Sequence, residues 1–136
     1  MGRIAIIDDS HDALELFEYL LHGEHQVQTF SRPDVFLNTF RPGTFDLIML
    51  DIMMPNVDGF TLFRKIRAED PDVPVVAVTA IAQPAEREKA LAAGFCDYFV
   101  KPILEIDRFR NAVYSHVGKC ANPPYDPKSD KNKSAA

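Results

Sequence analysis

Four short apolar runs in this chain each end on a reactive polar side chain. Ile4 to Ile7 runs into Asp8 and Asp9, Leu47 to Leu50 into Asp51, Val75 to Val78 into Thr79, and Tyr98 to Val100 into Lys101. An apolar run without alternation, such as Leu47 to Leu50, marks a strand covered on both faces, as in a parallel sheet lying between helices. In open sheets of that kind the ligand site lies at the carboxyl ends of the strands, beside the point where strand order reverses. The pattern therefore places three carboxylates, a hydroxyl and an ammonium along one rim.

Between these runs the apolar period is helical. Ser10 is placed to cap a first helix whose stripe is Leu14, Phe17, Leu20 and Leu21, and Gly23 stands where a left-handed stop is expected. Gln26 to Phe30 alternates as a half-exposed edge strand does. A second helix is expected from Ser31, with Pro33 in its first turn and Val35, Phe36 and Phe40 facing inward. Asp58 or Asn56 caps a third, which carries Phe60, Phe63 and Ile66 and stops before Pro71. Pro84 opens a fourth helix of mostly Ala and charged residues, closed by Gly94. It buries little large apolar surface and is expected to be the least firmly anchored. Ile106, Phe109, Val113 and Val117 give a fifth helix its buried stripe. Five strand-helix units without an internal repeat predict a doubly wound α/β fold: a five-stranded parallel sheet with five helices, over residues 1–118. From Lys119 the composition turns to Pro, Lys, Asp, Asn and Ser with little to bury, so 119–136 reads as a disordered tail or linker stub.

Composition narrows the function. The 136 residues are 46% hydrophobic and 26% charged, which suits one compact soluble domain. A formal charge of -5, with Lys and Arg scattered, lacks the footprint of a nucleic-acid binder, so no direct nucleic-acid partner is expected. No stretch approaches the roughly 20 apolar residues that cross a bilayer, and no cleavable signal or myristoylation motif leads the chain. Its start directly before the first strand favours a true amino terminus. Cys96 and Cys120 lie far apart and form no metal-ligand pair, so reduced thiols and a cytoplasmic location are expected. His11, His22, His25 and His116 are expected at exposed helix or loop positions, and none is assigned a chemical role.

The rim carries the chemistry. Strands one and three should flank the reversal point, which brings Asp8, Asp9 and Asp51 together. Two like charges about 5 Å apart at an effective dielectric near 20 repel by roughly 3 kcal/mol. A divalent cation resolves that conflict, and oxygen-only ligands suit magnesium. Lys101 adds a mobile positive charge and Thr79 a hydroxyl. A carboxylate nucleophile, a metal, an ammonium and a hydroxyl together describe a site for phosphoryl transfer to an aspartate. Singly, each residue has a plainer use: Asp8 and Asp9 as helix cap or turn, Lys101 as a solvated charge, Tyr98 as edge packing. Five such coincidences on one rim are hard to sustain.

The acidic pair Asp8-Asp9, the segment Asp51 to Gly59, the pair Thr79-Ala80, the aromatic Tyr98 and Lys101-Pro102 occur in order over about residues 3 to 118. On these motifs the chain resembles the receiver domain of two-component response regulators, chemotaxis-regulator-like, and the resemblance implies a flavodoxin-like three-layer sandwich with strand order 2-1-3-4-5. It further implies that Asp51 is the phosphoacceptor and that magnesium is held by Asp51, Asp9, Asp8 through water, and the Met53 main-chain carbonyl. Lys101 would pair with the phosphoryl group, aimed by a cis bond before Pro102. Thr79 would move toward the phosphoryl oxygen and vacate space into which Tyr98 turns, coupling Asp51 to the face of the fourth helix, fifth strand and fifth helix.

The expected function is a signalling switch rather than an enzyme acting on outside substrates. It would take its phosphoryl group from a histidine kinase or histidine phosphotransfer protein and catalyse only its own phosphorylation and slow dephosphorylation. The chain is either a stand-alone regulator or a module of a longer protein. The resemblance also implies that the residues two after the acceptor and two after the threonine flank the path of the attacking water; here they are Met53 and Ile81, both apolar and unable to orient it, so slow self-hydrolysis is expected. An interaction module that works without phosphorylation is the alternative. A metal-dependent phosphatase is disfavoured because Met53 stands where it would need a second acid.

Overall fold

Strand runs and helical stripes assemble in a computed structural model, which describes residues 2–121. Five strands lie parallel in one sheet: β1 (Arg3–Ile7), β2 (Gln26–Phe30), β3 (Leu47–Asp51), β4 (Val75–Thr79) and β5 (Asp97–Val100). Their order is 2-1-3-4-5, as expected. Every residue of β3 and β4 is buried, because both faces of these central strands are covered. At the edge, β2 alternates in burial.

The helices are α1 (His11–Leu21), α2 (Pro33–Thr39), α3 (Gly59–Glu69), α4 (Pro84–Ala93) and α5 (Ile106–His116). Successive strand side chains point to opposite faces, so the sheet divides the interior in two. Ala5, Ile7, Ile48 and Leu50 pack with Phe36, Phe40, Leu62, Phe63 and Ile66 on the side of α2, α3 and α4. Ile4, Ile6, Leu47 and Met49 pack with Leu14, Phe17, Phe109 and Val113 on the side of α1 and α5. The result is the three-layer sandwich that the motifs imply.

Local signals explain where the helices start and stop. Ser10 Oγ accepts the Ala13 N–H at 3.2 Å and caps α1. Asp58, not Asn56, caps α3 by accepting the Phe60 N–H at 3.1 Å, because Asn56, at φ 63, lies in the turn of a short antiparallel ribbon that pairs Met53–Met54 with Val57–Asp58. Gly94, at φ 118, closes α4. Gly59 opens α3 against Ile52 so closely that an added Cβ would collide with the Ile52 backbone. Three expectations are corrected. Gly23 is not left-handed, since α1 stops at His22, whose N–H donates to the Glu18 carbonyl. Val35 and Ile106 are each 41% exposed, because Phe36 with Phe40, and Phe109 with Val113, already fill the inward stripes.

The amino end of β5 brings two further corrections. Cys96 and Cys120 are joined in a disulfide rather than held as reduced thiols. The chain leaving α5 turns at Gly118, at φ 81, and returns past the start of β5, so the two Cα atoms lie 5.4 Å apart across 24 residues of sequence. Of the four histidines, His25 and His116 are buried, at 4% and 0% exposure. The Gly2 N–H donates to His25 Nδ1 at 3.3 Å. His116 Nδ1 accepts the Ala121 N–H at 3.1 Å, which leaves Nε2–H to donate to Asp97 at 2.9 Å. Residues 119–121 are thus seated, while the rest of the expected tail, 122–136, lies outside the described residues. Among the described residues no helix is long and apolar enough to cross a membrane.

Candidate functional site at the carboxyl rim

Strand register delivers the rim. Ile7 lies opposite both Phe30 and Leu50, Asp51 opposite Val78, and Thr79 opposite Val100, so the carboxyl ends of β1, β3, β4 and β5 are nearly flush. The ladder continues just past the strands: Asp8 N–H donates to Phe30 at 3.0 Å, and Lys101 N–H to Thr79 at 2.8 Å. Asp8, Asp51 and Lys101 are therefore carried on hydrogen-bonded backbone rather than on free loop.

Carboxylate oxygens of Asp8, Asp9 and Asp51 all come within 4.8 Å of one another. Asp8 and Asp51 are buried, at 1% and 4% exposure, and Asp9 is exposed. Each buried acid is held by the turn that follows it. Asp8 Oδ1 accepts the Ser10 N–H at 3.0 Å, and Asp51 Oδ1 accepts the Met53 N–H at 2.9 Å. Their remaining oxygens face the Lys101 ammonium, at 2.6 Å from Asp8 and 3.3 Å from Asp51. Three carboxylates against one ammonium leave the rim formally two charges negative when all are ionised.

Burial raises the Asp51 carboxyl above the usual carboxylate range. The Asp8 charge adds to that rise, against the pull of the Met53 N–H and of Lys101. Burial alone would lower Lys101, but the Asp8 hydrogen bond and the two carboxylate charges outweigh it and hold its pKa above the ordinary lysine value. The ammonium is thus fixed as a cation beside an acid that gains from further positive charge. An all-oxygen, net-negative donor set of this kind fits a hard divalent cation.

Thr79 and Tyr98 both bond to the backbone of Ile81, through the peptide groups on either side of its Cα. Ile81 N–H donates to Thr79 Oγ1 at 3.2 Å, and the Ile81 carbonyl accepts the Tyr98 hydroxyl at 2.6 Å. Thr79 is fully buried, and Tyr98 is 5% exposed with its ring already turned inward. The position of Ile81 two residues after the threonine is the available signal, but the bonding of both side chains to its backbone depends on the loop's path. Met53 presents a side chain 56% exposed at the mouth of the site, and the Lys101-Pro102 bond is cis. Asp8, Asp9, Asp51, Met53, Thr79 and Lys101 stand at or just past the carboxyl ends of their strands, and Tyr98 reaches the Ile81 carbonyl in the loop after β4.

A parallel sheet of order 2-1-3-4-5 with acids at the ends of its first and third strands defines a flavodoxin-like protein with a polar, metal-compatible rim. Residues 4–114 match the family described as response regulator receiver domain, and the chain belongs to that family. Among curated proteins it is 33% identical over 118 residues to the two-component response regulator ARR12 of Arabidopsis thaliana, covering 85% of this chain and 19% of that protein. It is 35% identical over 112 residues to the response regulator PleD of Caulobacter vibrioides, covering 79% of this chain and 24% of that protein. The chain thus spans a quarter or less of the length of these two relatives. The BeF3-activated receiver domain of DrrB, from Thermotoga maritima, superposes with a TM-score of 0.76 at 28% identity, over 85% of this chain and 97% of that one.

Proposed function

We propose that this receiver accepts a phosphoryl group on Asp51 from the phosphohistidine of a histidine kinase or histidine phosphotransfer protein, and that the modification alters its α4-β5-α5 face for protein binding. The observation that carries the reading is the Lys101 ammonium seated between Asp8 and Asp51 on a rim that is still net negative. In the transfer, an Asp51 oxygen forms the new bond to phosphorus as the phosphorus–nitrogen bond of the donor breaks, and the donor imidazole leaves with the electron pair. Asp51 Oδ2, which faces Lys101, is the oxygen free of the Met53 N–H and is the one assigned to attack. Lys101 neutralises the transferred oxygens, and the Thr79 hydroxyl donates to one of them once it turns from Ile81.

Asp8, Asp9, Asp51 and the Met53 carbonyl are the residues proposed to hold magnesium, whose positive charge would offset the negative charge of the phosphoryl oxygens. The movement of Thr79 reaches the surface through Ile81 and Tyr98. Beyond them lies a groove of about 720 Å³ lined by Arg87, Tyr98, Lys101, Ile103, Arg108 and Phe109, which is the proposed output surface. A cytoplasmic setting follows from the kinase partner in this reading.

The test is incubation with acetyl phosphate and magnesium, followed by intact-mass measurement. Wild type is expected to gain one phosphoryl group, magnesium chelation to prevent the gain, and Asp51→Asn to abolish it. An unmodified wild type whose α4-β5-α5 face does not respond would favour a phosphorylation-independent interaction module instead.

A further inference from the structure

We propose that Cys96 and Cys120 form a reversible thiol–disulfide clasp that holds the chain leaving α5 against the amino end of β5 and releases it on reduction by a cellular thiol or dithiol. The clasp lies at the opposite end of the sheet from Asp51. Cys96 directly precedes β5, is 2% exposed, and is fixed by its own N–H, which donates to Val75 at 2.8 Å. Cys120 is exposed and lies two residues after the Gly118 turn. The disulfide therefore joins a rigid, buried anchor to a surface strap.

Few other contacts seat the strap. Gly118 N–H donates to Asp46 at 2.9 Å and Lys119 N–H to His116 at 3.2 Å. Ala121 N–H donates to His116 Nδ1 at 3.1 Å, and that ring is in turn oriented by Asp97 at 2.9 Å. Hydrogen bonds at such a margin open readily when no covalent link holds the segment in place. Asp97 also accepts the Tyr98 N–H at 2.8 Å and faces Arg87 of α4 at 3.8 Å. The imidazole that receives the strap thus belongs to the same group of side chains that braces α4, β5 and α5.

Unequal burial sets the chemistry. An external thiolate attacks the sulfur of Cys120, the exposed residue of the pair, and bonds to it. The protein S–S bond breaks, and Cys96 leaves as a thiolate and takes up a proton. A second thiol then displaces Cys120 from the mixed disulfide, so the protein gains two electrons and two protons while the reductant becomes a disulfide. Closure is the reverse exchange with a small-molecule disulfide such as glutathione disulfide as oxidant. This is an input separate from the phosphoacceptor, and it acts on the direction in which the chain leaves the domain.

The full chain is equilibrated with glutathione disulfide or with dithiothreitol, quenched with an alkylating agent, and read by mass spectrometry and amide hydrogen exchange. In glutathione disulfide neither cysteine should alkylate, and the intact mass should be lighter by two hydrogens. In dithiothreitol both should alkylate, Cys120 ahead of Cys96. Exchange at Lys119 to Ala121 should rise by about tenfold or more, while that in β3 stays unchanged. Cys120→Ser, at an exposed site, should exchange rapidly at those positions with or without reductant. Two alkylatable cysteines in the glutathione disulfide buffer would overturn the proposal. So would equal exchange at residues 119 to 121 in the oxidised and reduced protein.

Discussion

At the rim, single side chains divide the work by what each can and cannot bond. Lys101 is committed to two acids at once, so any group that takes over part of the neutralisation of Asp8 frees the ammonium for a phosphoryl oxygen. Met53 and Ile81 do the opposite, offering nothing to a water molecule. The Met53 side chain stands exposed at the mouth, while the Ile81 N–H and carbonyl are already taken by Thr79 and Tyr98. In the proposed function, an acyl phosphate at Asp51 would be hydrolysed without a side chain to place its nucleophile. Met53→Asn combined with Ile81→Gln should shorten the phosphoryl half-life on the order of tenfold, since one positioning hydrogen bond contributing about 1.4 kcal/mol to the transition state is a factor of ten. The half-life is followed as loss of the phosphorylated mass after removal of the donor. Equal half-lives in wild type and variant would refute the role given to these two side chains.

Among the elements, α4 differs in how it is held. Its one buried residue is Ala90, whereas α1 buries Leu14, Phe17, Leu20 and Leu21, and α3 buries Gly59, Leu62, Phe63 and Ile66. Burying a large aliphatic or aromatic side chain contributes roughly 1.5–3 kcal/mol, and α4 has none. Its other side-chain ties come from two long cations: Lys89 over the Phe60 ring at 4.7 Å, and Arg87 to the Tyr98 carbonyl at 3.4 Å and to Asp97 at 3.8 Å. Amides of Arg87 to Leu91 should therefore exchange faster than those of Phe17 to Leu21, by about tenfold for each 1.4 kcal/mol of difference in opening. Equal protection would show that α4 is anchored in some other way. The weak helix was legible because composition alone limits what Ala and charged residues bury. The central strands were legible for the converse reason, since an unbroken apolar run has no solvent face. The rim was legible because each strand names the residue that follows it. What stayed hidden depends on approach between distant segments. Nothing near Cys96 announces Cys120, and nothing near His116 announces Asp97, until α5 returns beside β5. Helix edges failed for a local reason: Val35 is apolar, but Phe36 and Phe40 already occupy the inward face.

For the molecule as a whole, stability is drawn from two cores that the sheet keeps apart, each built around packed phenylalanines. Phe36 packs on Phe40 and Phe63 on Phe95 in one, and Phe17 meets Phe109 in the other. Near the amino edge of the sheet, His25 is a buried titratable group whose charge the fold opposes. Burial lowers its pKa from the ordinary 6.5, and the Glu24 carboxylate, 4.0 Å from Nε2, only partly offsets this. In the unfolded chain the ring takes up a proton near its ordinary pKa, whereas in the folded chain it stays neutral until a lower pH. Between those two values the unfolded state binds more protons, so stability rises with pH across the window and is lost as pH falls below about 6.5. The slope from one proton is at most about 1.4 kcal/mol per pH unit. His25→Gln removes the titration together with the imidazole acceptor of the Gly2 N–H, at a cost of about 1 kcal/mol near neutral pH. In urea unfolding between pH 7.5 and 5, wild type should start more stable and lose more, so that the gap to the variant narrows as pH falls. A gap of constant size across the range would assign the acid loss to the carboxylates and not to His25.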